Sequence, residues 1–182
     1  MLVEDPIFLT LIFSEPGDDG EIVRLFAERF ERDVQGAEHL RALERLCQPS
    51  RRLTLAQARG TGLSNQALEN APELDEALQD LVEFADGAGA WIVPEGQTAR
   101  AALAHAAAQA GFPHGFGPPV LGCDELGAAV LPAICRRGAA DLLAHYGLAG
   151  ANHSAGATAG GTPALQVLRR LWERLEVDLL KL

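Results

Sequence analysis

The sequence predicts an α/β protein in which a β-hairpin sheet comes first and strands then alternate with helices. Three observations carry this prediction: an almost wholly apolar run at Ile7–Phe13, a strongly amphipathic segment at Pro72–Ala85, and a short apolar run at Ala90–Val93 that leads into an alanine-rich segment. Apolar runs that alternate with segments of helical period are typical of α/β proteins. The length of 182 residues suits one domain with its own core, so a single domain over residues 1–182 is expected.

Three strands are predicted in the first 50 residues. Ile7–Phe13 lies between turn-forming residues and has the composition of a strand that is buried on both faces. The Pro- and Gly-containing turn at residues 16–20 then leads to a second strand, Ile22–Phe30, paired with the first as a hairpin, although its mixed pattern also fits a helix. His39–Cys47 has the propensity of a helix. Its assignment as a third antiparallel strand depends on the family resemblance described below.

The remainder of the chain is predicted to be mainly helical, with two short strands. Ser64 is a suitable N-cap for a short helix through Leu68, and a proline followed by acids is a good start for the amphipathic helix. The Gly- and Pro-rich residues 111–119 are predicted to be an exposed connection. The predicted elements are helix Pro72–Ala85, strand Ala90–Val93, helix Thr98–Ala110, strand Val120–Cys123, and helices Glu125–Leu131, Gly138–His145 and Pro163–Leu182.

Composition narrows the classes of function. The net charge of −10 disfavours nucleic-acid binding, because such affinity comes largely from Lys and Arg neutralising phosphates. No apolar run approaches the length of a membrane span, and the N-terminus lacks the features of a signal peptide, so a cytoplasmic location without membrane contact is expected. The three cysteines, Cys47, Cys123 and Cys135, are predicted to be buried free thiols; a reactive Cys–His pair is the alternative.

Three motifs, in order and spacing, resemble those of the DEDDh 3′–5′ exonucleases of the ribonuclease-H-like superfamily. Residues 8–17 are similar to an apolar strand that ends Asp-x-Glu-Thr-Thr-Gly, and residues 92–99 to the motif Val-Ala-His-Asn-x-x-Phe-Asp. Residues 153–159 are similar to His-Arg-Ala-x-x-Asp-Ala. The resemblance covers nearly the whole chain. It implies a ribonuclease-H-like mixed sheet, antiparallel at its N-terminal strands and parallel afterwards, with helices on both faces.

The resemblance also implies where catalytic residues would be, and these positions lack the required side chains. Enzymes of this family hold two metal ions with four carboxylates, and the metals carry most of the chemistry. The four positions are occupied here by Ile12, Ser14, Ala99 and Thr158. His153 matches the general-base histidine, but without a metal-bound water it has no activated proton to accept. No catalytic residue, metal site or cofactor is therefore expected, and Mg²⁺ or Mn²⁺ enters only if other acids rebuild the site.

The leading interpretation is a catalytically inactive exonuclease-like domain that acts as a scaffold or interaction module in DNA metabolism, such as repair or replication. One alternative is an active 3′–5′ exonuclease with a rearranged metal site that uses Glu95 or the acids of the first turn, which are otherwise explained as turn-forming residues. Another is a single-stranded nucleic-acid-binding module that uses the old cleft. Its candidate residues, otherwise explained as solvated surface, are the arginine pairs Arg51, Arg52, Arg136 and Arg137.

The terminal helix, residues 163–182, is a candidate partner or linker helix. It repeats leucine at helical spacing and ends in a largely apolar segment. It also resembles the tail that joins exonuclease-like domains to a helicase in some DNA-repair helicases. A protein partner, a fused helicase-type domain and a homodimer contact are the partners that this helix predicts.

Overall fold

The computed structural model describes residues 3–15, 20–32, 38–112, 117–135, 138–149 and 162–181. These residues form five strands and seven helices. The strands are β1 (Pro6–Phe13), β2 (Ile22–Arg32), β3 (Glu38–Leu46), β4 (Ala90–Val93) and β5 (Val120–Gly122). The helices are α1 (Leu55–Thr61), α2 (Asn65–Leu68), α3 (Leu74–Phe84), α4 (Gly96–Gln109), α5 (Cys123–Val130), α6 (Ala139–His145) and α7 (Thr162–Leu179). No helix in this described part of the chain is long and apolar enough to cross a membrane.

The five strands form one mixed sheet in the order β3-β2-β1-β4-β5. The β1–β2 and β2–β3 pairs are antiparallel, whereas β4 is parallel to both β1 and β5. This arrangement confirms the predicted fold class and the predicted third antiparallel strand. Helix propensity is overridden in β3 because its backbone pairs with β2 along its whole length, from Arg24–Leu46 to Arg32–Glu38.

Alternate side chains of the central strand enter two separate apolar cores, one on each face of the sheet. Ile7 and Leu9 pack against Leu78 and Leu81 of α3 and Leu103 of α4. Phe8 points to the opposite face and joins the cluster formed by α5, α6 and α7. Helices therefore cover both faces of the sheet, as the fold class predicts.

Helix α7 supplies much of the second core. Its buried side chains recur at helical spacing and contact Phe8 and Phe26 of the sheet, as well as Leu142 of α6. These α7 side chains are Leu165, Leu168, Leu171, Trp172 and Leu175. The apolar stripe of the predicted terminal helix thus lies largely against its own sheet, and the exposed apolar residues near its end are Val177 and Leu180.

The structure adds one helix and shifts the boundaries of others. Helix α1 was not predicted, and the signal for it is a capping box in which the Thr54 and Gln57 side chains each accept the other residue's backbone N–H. Ser64 caps α2 as predicted. Helix α4 begins at Gly96, two residues earlier than expected, and α5 begins at Cys123, directly after β5.

Candidate functional site: a cleft at the end of β1

An open cleft of about 1230 Å³ lies where β1 ends. One wall is the end of the β1–β2 hairpin, a second is the segment from Gln48 through the start of α1, and a third is one side of α4. The polar and charged lining residues are Ser14, Glu15, Glu21, Gln48, Ser50, Arg51, Arg52, Thr54, Gln57, Glu73, Thr98, His105 and Gln109. No single motif supplies this surface, because three distant stretches of chain contribute to it.

A β-bulge shapes the hairpin wall. Ile12 pairs with Arg24 and Phe13 pairs with Ile22, so Val23 has no opposite partner. Beyond the bulge, the Ser14 backbone N–H donates to the Glu21 carbonyl over 2.8 Å, and the Glu21 N–H donates to the Ser14 hydroxyl over 3.1 Å. Ser14 is buried and its oxygen already holds a backbone donor, so it closes the hairpin rather than projecting into the cleft as a free hydroxyl.

The acids of this hairpin that the structure describes hold the second wall in place. The Glu21 carboxylate accepts the Ser50 backbone N–H over 3.1 Å, and the Glu15 carboxylate accepts the Gln57 side-chain amide over 3.4 Å. Both acids therefore serve as hydrogen-bond acceptors between segments. Asp18 and Asp19, the other acids of the predicted turn, lie outside the described residues.

The third wall is the face of α4 that carries Thr98, Ala101, Ala102 and His105. The His105 side chain is exposed along the cleft. Small alanine side chains between Thr98 and His105 leave room for the cleft. No sequence motif indicated that His105 lies in the cleft, because its position there depends on the tertiary packing of α4.

Two of the positions matching the family's metal-binding acids, Ile12 and Ala99, pack on opposite faces of the sheet. Ile12 is half-buried and contacts the two clusters that contain Phe8 and Val23. Ala99 is buried on the other side of the sheet, in the cluster of Leu9 and Leu103. Within the described residues, no group of three His, Cys, Asp or Glu side chains could hold a metal ion. The third motif, with His153 and Thr158, lies outside the described residues.

Two of the four candidate nucleic-acid-binding arginines line the cleft. Arg51 and Arg52 are both exposed there, whereas Arg136 and Arg137 lie outside the described residues. Arg52 forms an ion pair with Glu69. Because Glu15, Glu21 and Glu73 also line the cleft, its charge is mixed rather than uniformly positive.

The carboxyl ends of β4 and β5 carry a second polar cluster, which is occupied by the chain's own acids. Asp124 accepts the Gly96 backbone N–H over 2.9 Å at the start of α4, and Arg100 binds the Glu125 carboxylate with both terminal nitrogens. The hydrogen bond from Arg100 is the main cause of a lowered pKa at Glu125. Carboxylates of this chain therefore already occupy the N-terminus of α4, the partially positive end of the helix, where an anionic ligand would otherwise bind.

The cysteines do not form a nucleophilic site. All three are free, as predicted; Cys47 and Cys123 are buried and Cys135 is half-buried. Burial raises the pKa of Cys47 to about 12 and also raises the pKa values of the other two thiols. Since the thiolate is the reactive form, these surroundings keep the sulfur atoms unreactive at neutral pH.

Comparison with solved structures places the fold among 3′-exonucleases. The nuclease domain of 3′hExo, a DEDDh family member bound to rAMP, matches with a TM-score of 0.71 and 11% identity over 97% of this chain and 93% of that one. A 3′-exonuclease that recognises the 3′ end of histone mRNA stem-loop matches at 0.70 and 10% identity, over 97% and 83%. Exonuclease X in complex with 5′-overhanging duplex DNA matches at 0.57 and 11% identity, over 93% and 90%.

No protein-family model and no curated protein matches the sequence. The chain therefore has an exonuclease-like fold with very little sequence identity to the enzymes that share it. The architecture implied by the three motifs is confirmed.

Proposed function

We propose that this chain is a catalytically inactive exonuclease-like domain that serves as an interaction module in nucleic-acid metabolism. The observation that carries the proposal is the apolar packing of two positions that hold metal-binding acids in the family. Ile12 and Ala99 are part of apolar clusters on opposite faces of the sheet. A two-metal mechanism needs carboxylates gathered around one space, since the metals activate the water and stabilise the leaving oxygen.

The remaining acids near β1 support the same proposal. Glu15 and Glu21 accept hydrogen bonds from Gln57 and Ser50, and these bonds connect the cleft walls. Within the described residues, neither carboxylate belongs to a group of three His, Cys, Asp or Glu side chains that could hold a metal ion. The alternative of an active exonuclease with a rearranged site therefore needs further ligands to come together beside these acids.

A nuclease assay tests the proposal directly. We expect no shortening of 5′-labelled single-stranded DNA or RNA in Mg²⁺ or Mn²⁺ beyond that in EDTA. Glu15→Gln and Glu95→Gln provide the matched variants, because both acids are exposed and both substitutions keep the side-chain size. Metal-dependent shortening that either substitution abolishes would overturn the proposal and establish the rearranged-site alternative.

The cleft favours one second function, binding of a single strand without cleavage. Arg51 and Arg52 lie on the same wall, beside polar side chains that can contact a sugar–phosphate backbone. Arg52 is paired with Glu69, so Arg51 is the better phosphate ligand. The mixed charge of the cleft predicts weak binding that is lost as salt rises.

Binding is tested by fluorescence anisotropy of a labelled oligonucleotide over a range of salt concentrations. If Arg51 contacts a phosphate, Arg51→Ala weakens binding and reduces the log–log salt slope by about 0.7. Arg59→Ala is the control, because Arg59 is an exposed arginine of neighbouring α1 that does not line the cleft. Absence of binding at low salt, or equal effects of both substitutions, rules this function out.

A further inference from the structure

Helix α4 presents a polar stripe to the cleft, and His105 is the one titratable side chain that this helix contributes to the lining. Thr98, His105 and Gln109 recur at intervals of seven and four residues, so they lie on one side of the helix. The other lining residues of α4 are Ala101, Ala102 and Ala106. At a rise of about 1.5 Å per residue, the stripe from Thr98 to Gln109 is about 16 Å long. This wall can therefore lie alongside an extended polymer.

His105 and Arg51 are both available to a ligand. Both side chains are exposed, and they lie on different walls of the cleft. Among the described residues, none forms a hydrogen bond or an ion pair with either side chain. Arg52, by contrast, is held by Glu69. An anionic ligand can therefore contact His105 and Arg51 without displacing a contact that the chain already makes.

His105 also controls the balance of charge in the cleft. The charged residues that line it are Glu15, Glu21, Glu73, Arg51 and Arg52. Three carboxylates and two guanidinium groups leave one excess negative charge while His105 is neutral, and protonation of His105 cancels it. Of these side-chain types, histidine alone ordinarily changes its charge between about pH 5 and pH 8.

We propose that His105 is a phosphate ligand of the cleft, on a different wall from Arg51, and that single-strand binding is therefore controlled by pH. This inference rests on the proposed binding of a single strand by the cleft. Protonation gives the imidazole two N–H donors and a positive charge, and charge-assisted hydrogen bonds to phosphate are stronger than neutral ones. The sugar–phosphate backbone is then held by a guanidinium group on one wall and an imidazolium group on another. Binding strengthens as the pH falls from about 8 to about 5.5.

The test is fluorescence anisotropy of a labelled oligothymidylate at low salt, measured at about pH 8 and about pH 5.5. We expect the wild-type protein to bind about three to five times more tightly at the lower pH, the effect of one exposed ion pair. The log–log salt slope should also become steeper by about 0.7, because one more phosphate is neutralised. His105→Gln should remove both changes. His145→Gln is the matched control, because His145 is an exposed histidine of α6 that does not line the cleft.

A second variant, His105→Lys, keeps a positive charge at both pH values. It should bind at about pH 8 as tightly as the wild-type protein binds at about pH 5.5. If His105→Gln weakens binding equally at both pH values, His105 contacts a base rather than a phosphate, and the proposal is wrong. It is also wrong if the pH dependence persists in His105→Gln. Absence of binding at both pH values rejects the single-strand-binding function itself and this inference with it, so the two failures are distinguishable.

Discussion

Two glycines allow the backbone to cross closely where β4 and β5 lead into their helices. A Cβ atom at Gly122 would lie 2.5 Å from the Gly96 nitrogen and 2.6 Å from its Cα, and one at Gly96 would lie 2.9 Å from the Gly122 Cα. The same approach lets Asp124 reach the Gly96 N–H. At this crossing glycine is required for space, since neither residue has a positive φ.

We therefore predict that Gly122→Ala reduces the free energy of unfolding by about 1–3 kcal/mol, because the added methyl group meets backbone atoms that cannot rotate away. Denaturant unfolding measures the change. Gly60→Ala is the control: Gly60 is in helix α1 and nothing lies within 4 Å of an added Cβ atom. That control should be neutral or stabilising by up to about 1 kcal/mol. Equal effects of both substitutions would show that the crossing has room for a methyl group.

Individual residues show which parts of the site could be predicted from sequence. The apolar character of Ile12 and Ala99 was evident in the motifs, and the structure places both against apolar neighbours. The cleft positions of Arg51 and His105 could not be derived in this way, because α4 and the segment after β3 are more than 40 residues apart in sequence. Their proximity depends on the tertiary packing of α4.

At the scale of elements, periodicity predicted the strands and the longer helices, and pairing decided the ambiguous ones. β3 has the composition of a helix, yet it is a strand because β2 offers an unpaired edge. Helix α1 was missed because it has seven residues and an interior glycine, and because its apolar pattern is weak. The Thr54-x-x-Gln57 capping box was the one local signal that indicates its start.

Helices α6 and α7 are joined by a polar contact whose strength depends on pH. The Tyr146 hydroxyl, just after α6, donates to the Asp178 carboxylate over 2.8 Å, and Lys181 donates to the same carboxylate over 2.7 Å. The hydrogen bond from Lys181, followed by that from Tyr146, lowers the pKa of Asp178 from its usual 3.8. Because the folded pKa is the lower one, the stabilisation is complete above pH 3.8 and is lost as the pH falls through the folded value.

We predict that Asp178→Asn has a lower melting temperature than the wild-type protein at neutral pH. The difference in melting temperature should become smaller as the pH falls below 3.8. Thermal unfolding at a series of pH values measures the gap. The difference in melting temperature between Lys181→Met and the wild-type protein should show most of the same pH dependence, because the hydrogen bond from Lys181 is the largest cause of the lowered pKa of Asp178. A gap that is constant across the acid range would contradict a folded-state contact with ionised Asp178.

At the scale of the whole molecule, the beginning and the end of the chain share one core. Phe8 of β1 and Phe26 of β2 pack against Leu168, Leu171 and Leu175 in the cluster that α7 completes. Among the residues whose packing is described, the other core, under α3 and α4, contains none from α7. The face of the N-terminal hairpin under α3 and α4 can therefore be buried without α7. Burial of the opposite face depends on α7 residues that lie more than 130 positions later in the chain.

The last prediction concerns this dependence on α7. Truncation before Thr162 removes five buried α7 side chains, each contributing about 1.5–3 kcal/mol and together roughly 8–15 kcal/mol. That sum is comparable to the entire stability of a typical domain, about 5–15 kcal/mol, so the truncated chain should lose cooperative thermal unfolding by circular dichroism. Truncation after Leu179 is the control, because it spares all five side chains and should retain a cooperative transition. If the shorter chain also unfolds cooperatively near the wild-type temperature, α7 is an appended helix, and its apolar stripe becomes available to a partner.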